Sequence, residues 1–366
     1  MITCRAPGKL FIAGEYAVVE PGHLAVLTAV DRFATATVTE AEGTDTQLHS
    51  DLDSGVTLSC GRIDDRMIPS TADGVVPASF AYVFAAVAIV DRLLVERGIP
   101  ARAYRLDIGS DLGDADGRKF GLGASAAVTV VTVAALGRFY ELGLSAMDRY
   151  RLAMLATMSI NPRASGGDVA ASTWGGWIAY RSPDRALVSE ASARNGIDAA
   201  LHAPWPGFSV GPLPAPTGLA VQVGWTGRPA STPALVAGLG NSSRQSGDRA
   251  AFLSHSDECV ARLSAALEAD DSIGIGDEIR CARDLLINLD ATAGLGIMTP
   301  LLQELCAAGA AVGAAAKPSG AGGGDCGIAL IDRTRSAAID ELTDRWVTAG
   351  IRPLPLRTHP SERECR

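Results

Sequence analysis

Three segments of the chain combine glycine with residues able to hold charge. In Ala6-Pro7-Gly8-Lys9-Leu10-Phe11-Ile12-Ala13-Gly14-Glu15-Tyr16 a lysine sits in an otherwise apolar run between glycine turns. A buried ammonium is costly unless an anion answers it, and Asp168, in Ser165-Gly166-Gly167-Asp168, is a candidate partner. An aspartate after glycine is more often a cap or turn residue, and spacing alone favours that plainer role. In Phe120-Gly121-Leu122-Gly123-Ala124-Ser125-Ala126-Ala127 two glycines lead into a long run of small apolar residues that reads as a helix. Such a turn lets the backbone approach a ligand, and the free N–H groups and positive end of the helix favour phosphate. Ser125 falls in the first helical turn, where its hydroxyl would reach a phosphate or a bound magnesium. In Ser319-Gly320-Ala321-Gly322-Gly323-Gly324-Asp325-Cys326-Gly327, five glycines in nine residues form a loop able to offer several N–H groups to an anion. Gly322 to Gly327 spells G-x-G-x-x-G, but a strand follows where a dinucleotide fold requires a helix.

The 366 residues, with 47% hydrophobic and 20% charged side chains, suit a globular protein of two domains. A net charge of -9 and the lack of a Lys/Arg cluster argue against nucleic acid. Of the 32 lysines and arginines only Lys9, Lys119 and Lys317 are lysines. Each borders a glycine-containing segment, so the three segments are expected to meet around something anionic. Seven scattered cysteines without a C-x-x-C pair suggest reduced thiols in a cytoplasmic protein. The start carries no basic-then-apolar leader. The apolar stretch Val75–Val90 falls short of a membrane span, so a buried helix is expected and no membrane partner. The five histidines are far apart, which leaves zinc without ligand spacing. Asp111, Asp114 and Asp116 lack the rest of a calcium loop, and neither a Walker A loop nor a G-x-S-x-G elbow occurs.

The elements that must hold these segments follow from pattern. Strands are expected at Leu24–Val38, Val56–Cys60, Ala101–Ile108 and Trp174–Tyr180, and helices at Pro77–Arg97, Ala124–Tyr140 and Ser145–Ser159. Pro183 to Pro216 reads as irregular, which places the division between residues 1–185, a nucleotide-binding domain, and 186–366. The second half alternates strands, at Gly218–Trp225, Cys326–Ile331 and Ile351–Leu356, with helices near 249–267, 273–289, 300–308 and 335–349. That pattern predicts an α+β sandwich.

Taken in this order, the three segments resemble the three motifs of the GHMP kinases: Pro7-Gly8-Lys9 with Gly14-Glu15, then Gly121 to Ala127, then Ser319 to Gly324. Within that family, Gly14-Glu15-Tyr16-Ala17, Phe120 before the loop, Gly224-Trp225-Thr226 and Gly324-Asp325-Cys326-Gly327 are similar to the bacterial phosphomevalonate-kinase branch. The resemblance implies a ribosomal-protein-S5-like N-terminal domain and a ferredoxin-like C-terminal domain with the active site between them. It implies Lys9 and Asp168 as the catalytic pair, and Gly121, Leu122, Gly123, Ala124, Ser125 and Ala126 as the nucleotide loop. Ser125 would be the Mg2+-side hydroxyl, with ATP and 5-phosphomevalonate as the small-molecule substrates. Acceptor contacts would come from Glu15, Tyr16, Ser165, Gly166, Gly167, Ser231 and Thr232, and from Lys317, Ser319, Gly320, Ala321 and Gly322. A homodimer is one expected assembly. The alternatives are mevalonate kinase, another small-molecule kinase of the family, or a non-catalytic member that kept the fold for binding or regulation.

Overall fold

The first sheet is built on Leu24–Glu40 (β2), a run rich in Val and Thr, with Ile2–Ala13 (β1) paired antiparallel along it from Ile2 opposite Val38 to Ala13 opposite Val26. The computed structural model describes residues 1–43, 45–51, 55–63, 66–114, 116–228, 235 and 246–361. The pairing of β1 with β2 slips between Pro7 and Gly8, so Gly8 lies at an irregularity inside a strand rather than in the expected turn. A β-carbon there would come 2.4 Å from Leu112 Cδ2 and 2.9 Å from the Leu122 carbonyl oxygen. The missing side chain lets the loop before the phosphate-type helix lie directly on β1, where Lys9 N–H donates to Leu122 O at 2.9 Å.

The remaining strands of this sheet are Thr46–Ser50 (β3), Val56–Ile63 (β4), Arg66–Pro69 (β5), Tyr104–Ser110 (β6), Trp177–Arg181 (β7) and Ser209–Leu213 (β8). Their order is β5-β4-β3-β6-β2-β7-β8, with β1 on β2; only β3 and β6 run parallel. The accompanying helices are Ala81–Glu96 (α1), Ala124–Phe139 (α2), Ala146–Ile160 (α3) and Gly167–Trp174 (α4). Helix α1 packs on α2 and α3, and α2 on β1 and β2. With the single turn before it, α1 gives a run, Ala78–Glu96, long and apolar enough by length and composition to cross a membrane, longer than the expected Val75–Val90. In this fold it is a core helix, with Ala86, Val87, Val90 and Leu93 essentially inaccessible. Trp174, expected to open a strand, instead closes α4 before Gly175.

The stretch from Pro183 to Pro216 is ordered, not irregular. Asp184 accepts from the N–H groups of Ala186 and Leu187 and starts Arg185–Asn195 (α5), and Ile197–His202 (α6) follows. Trp205 and Phe208 then pack around Tyr150, Phe208 stacked on it at 4.8 Å, before β8 joins β7. The first sheet therefore extends past the 185/186 division, and the chain crosses to the second sheet at 214–218.

That second sheet contains Leu219–Trp225 (β9), Ala315–Pro318 (β10), Cys326–Asp332 (β11) and Arg352–Leu354 (β12), in the order β10-β11-β9-β12 and wholly antiparallel. Its helices are Ser246–Glu268 (α7), Ser272–Ala293 (α8), Pro300–Ala311 (α9) and Ser336–Thr348 (α10). Asp271 caps α8, and Thr299 with Pro300 starts α9. This strand order is the ferredoxin-like arrangement, so the chain has the α+β class expected of it. One apolar core runs through both sheets, joining Leu10 and Val26 to Leu263, Ile279 and Ile328.

Candidate active site

Helix α2 begins without a side-chain cap. Its N-cap is Gly123, in the left-handed region at φ 77°, and Gly121 has φ 82°. The first intrahelical bond is Ala127 N–H to Gly123 O. The N–H groups of residues 124–126 therefore have no helical carbonyl before them and stand at the positive end of the helix dipole. They face a cavity of about 560 Å³ between the two sheets. Gly121, Leu122, Gly123, Ala124, Ser125 and Ala126 all line it.

Lys9 and Asp168 line the same cavity. Lys9 is 7% exposed, and its Nζ donates to Gly121 O at 3.0 Å. Asp168 occupies the first turn of α4, behind Gly166 at φ 80°, and its Oδ1 accepts from Val169 N–H at 2.9 Å. A β-carbon on Gly123 would lie 3.0 Å from Lys9 Cγ, 3.1 Å from Lys9 Cε and 3.6 Å from Asp168 Cβ, so the phosphate-type loop touches both. The expected Lys9–Asp168 ion pair does not form: among the described residues no carboxylate oxygen lies within 4.0 Å of Lys9 Nζ. Each charged group instead faces the shared space. Replacing Gly123 with alanine should raise the KM for ATP at least about tenfold, because the methyl crowds the loop and Lys9 and φ stays unfavourable. Calorimetry with a non-hydrolysable ATP analogue checks this; unchanged affinity would remove the loop from nucleotide binding.

The third glycine segment behaves differently from its reading as a cavity wall. Gly320 and Ala321 line the cavity, whereas Lys317, Ser319 and Gly322 do not. Lys317 is fully buried, ion-paired to Glu15 and donating to Pro318 O at 2.6 Å. Its β10 position turns it into the core, and Glu15, which also borders the cavity, neutralises it there. Of the three lysines, Lys9 and Lys119 line the cavity and Lys317 does not. Ser319 ties the segment to β1 through both backbone groups of Phe11, at 3.0 Å each. Gly322 is a packing glycine, since a β-carbon would come 2.6 Å from Ile297 Cγ2 and Ile297 O. Glu15→Gln would strand a buried ammonium and should lower stability by about 3–5 kcal/mol. A clearly lower urea midpoint checks this, and an unchanged midpoint would contradict it.

Tyr16 lines the cavity with a backbone φ of 63°, unusual for a non-glycine residue, and its hydroxyl donates to Ala321 O. Burial first, then the charges of Asp290 and Glu15, push that hydroxyl up, so it stays protonated. Ser165 lines the cavity while its carbonyl accepts from Tyr180 and Ser182. Gly166 and Gly167 instead make room for neighbours: β-carbons there would meet Met154 Sδ at 2.6 Å and Phe11 Cζ at 3.3 Å. Ser231 and Thr232 lie outside the described residues.

Sequence reasoning missed the wall supplied by α1 and α3. Tyr82, Thr157 and Asn161 line the cavity, and burial together with the charge of Asp168 raises the Tyr82 hydroxyl above its ordinary range. Asp325 has no role in the sequence reading beyond its place in the third glycine segment, yet it lines the cavity against Gly121, whose β-carbon would sit 2.5 Å from Asp325 Cβ. Phe120 and Trp225 also gain a physical role. They meet edge to face at 5.1 Å, and Cys326 Sγ donates to Phe120 O at 2.9 Å, fastening the phosphate-type loop to the second sheet.

An uncapped helix start, a lysine and an aspartate thus converge on one space between two α+β layers, an arrangement suited to holding a phosphate group. The family of GHMP kinases N terminal domains matches residues 81–176, and that of GHMP kinases C terminal domains residues 263–348. A phosphomevalonate kinase of Streptomyces sp. (strain CL190) is 51% identical over 97% of this chain and 96% of its own length. The solved structure of Streptococcus pneumoniae phosphomevalonate kinase in complex with phosphomevalonate and AMPPNP is 30% identical. It superposes with a TM-score of 0.84 over 98% of this chain and 100% of that one. A mevalonate kinase of Aeropyrum pernix is 28% identical over 89% of this chain and 87% of its own. The chain belongs to the GHMP kinases.

Proposed function

We propose that this chain transfers the γ-phosphoryl group of ATP to the phosphate of 5-phosphomevalonate, giving 5-diphosphomevalonate and ADP. The observation that carries this reading is the single cavity in which the start of α2, Lys9 and Asp168 meet, in a chain half identical to a phosphomevalonate kinase. The N–H groups of residues 124–126 hold the nucleotide phosphates. Lys9 offsets repulsion between donor and acceptor phosphates and stabilises charge on the group in flight. Gly320, Ala321, Tyr16 and Ser165 form the acceptor side, and the buried Glu15–Lys317 pair holds the Gly320 segment against β1. The acceptor phosphate, with a second pKa of about 6, is already mostly dianionic at neutral pH. Asp168 accordingly positions the acceptor rather than serving as an indispensable base.

The oxygen donors beside the helix start, the Ser125 hydroxyl and the Asp168 carboxylate, suit a hard cation such as Mg2+, which supplies charge neutralisation on the phosphates when bound. ADP release measured with phosphomevalonate and with mevalonate tests the acceptor. Turnover is expected with the first. Turnover with mevalonate alone would promote the mevalonate-kinase reading, and none with either would favour the non-catalytic one.

A further inference from the structure

Two cysteines far apart in the chain meet where α7 and α8 pack along one another. Cys259 on α7 and Glu278 and Cys281 on α8 offer two sulfurs and a carboxylate oxygen, all within 4.8 Å of one another. Among the described residues no other three such side chains gather this closely. Glu278 and Cys281, at i and i+3, share the face of α8 that meets Cys259. Cys259 is 1% exposed, Cys281 is half-buried, and both are free thiols. Cys259 Sγ donates to the Glu278 carbonyl oxygen at 3.4 Å.

A positive charge already sits at this place. Arg262 on α7 clasps the Glu278 carboxylate, with Nε on Oε1 at 2.6 Å and Nη2 on Oε2 at 3.0 Å. The same Nη2 lies 3.8 Å from Cys281 Sγ. A carboxylate held by two such bonds keeps further lone pairs. Glu278 can therefore ligate a metal while Arg262 stays hydrogen-bonded to it, the usual support behind a ligating carboxylate. The charges then balance, two thiolates and a carboxylate against a divalent ion and a guanidinium. Sulfurs about 2.3 Å from a tetrahedral ion lie roughly 3.8 Å apart, so the donors need close by little more than about 1 Å.

We propose that Cys259, Cys281 and Glu278 form a Zn2+ site, with water completing the tetrahedron. On binding, each thiol gives its proton to solvent and a sulfur lone pair to the metal. Thiolates are soft donors and exclude Mg2+, which suits the oxygen donors of the kinase cavity instead. The metal would clasp α7 to α8. Phe252 of α7 and Leu286 and Leu289 of α8 belong to the apolar cluster that holds Tyr16 and Ala321, so the clasp stiffens the support behind that wall of the kinase cavity.

The probe is Co2+, which enters zinc sites and shows a thiolate-to-metal charge-transfer band. It is titrated into the full chain, kept reduced by a phosphine and free of nucleotide. The band should saturate near one equivalent, vanish on addition of Zn2+ and persist in excess Mg2+. Cys281→Ser should weaken binding by at least about a hundredfold and Glu278→Gln by about tenfold. Cys60→Ala, on β4 of the other sheet, should leave the band unchanged. Zn2+ should raise the thermal midpoint of the parent chain, but not that of a Cys259→Ala, Cys281→Ala double variant. The double variant's own cooperative melt shows that it is folded, and Cys281→Ser, at the half-buried position, keeps the test decisive if it is not. No thiolate band in the parent chain would overturn the proposal. So would a band that Mg2+ displaces, or one that survives loss of either thiol in a folded protein. Because the readout is metal binding and not turnover, failure here is distinguishable from failure of the kinase reading.

Discussion

Lys9→Met should lower kcat by more than about a hundredfold while the protein stays folded. The methionine stem replaces the lysine stem along β1, so packing changes little. The variant loses the ammonium that donates to Gly121 O and faces the cavity. No other lysine can substitute. Lys317 is committed to Glu15 in the core, and Lys119 lies exposed at the cavity's edge. A folded variant with near-parental kcat would remove Lys9 from the mechanism.

The second large effect is expected of Asp168→Asn, which keeps the shape of the α4 first turn and removes one negative charge. The Val169 N–H bond survives through the amide oxygen, so misfolding does not confound the result. With a phosphate acceptor that is already ionised, kcat should fall substantially but incompletely. Parent and variant should then share one pH–rate limb: activity rises with ionisation of the acceptor, with a pKa of about 6, and is flat above about pH 7. An alcohol acceptor would leave nothing nearby to take its proton, and turnover would be nearly abolished at every pH. Tyr82 does not offer an escape, because burial, the larger cause of its raised hydroxyl, persists in the variant and keeps it protonated. An Asp168→Asn enzyme with normal kcat would show that the carboxylate does not position the acceptor.

The parts of the site legible in the sequence are those where local backbone need dictates residue type. Gly121 and Gly123 take positive φ, and a small-residue helix follows immediately, so the phosphate-type loop can be read without tertiary knowledge. Lys9 was legible as an ammonium in an apolar run. The side on which a lysine in a glycine-flanked segment ends up was not. Lys9 on β1 faces the cavity and Lys317 on β10 faces the core, and strand register decides this, not composition. Tyr82, Thr157 and Asn161 escaped because helix periodicity shows which face is covered, but not which covered face borders empty space. Helix α5 escaped because only Val188 and Ser192 of it are buried, which leaves almost no apolar period to detect. The strand β8 behind it is short and contains glycine and proline, and pairing with β7 rather than its own propensity makes it a strand.

The central claim is that the acceptor atom is a phosphate oxygen, and phosphorus NMR of the reaction of ATP with 5-phosphomevalonate tests it most directly. The phosphomonoester signal of the acceptor should be replaced by the two mutually coupled signals of a diphosphate ester, in step with formation of ADP. A product carrying two uncoupled phosphomonoester signals, or consumption of mevalonate while phosphomevalonate is inert, would contradict it.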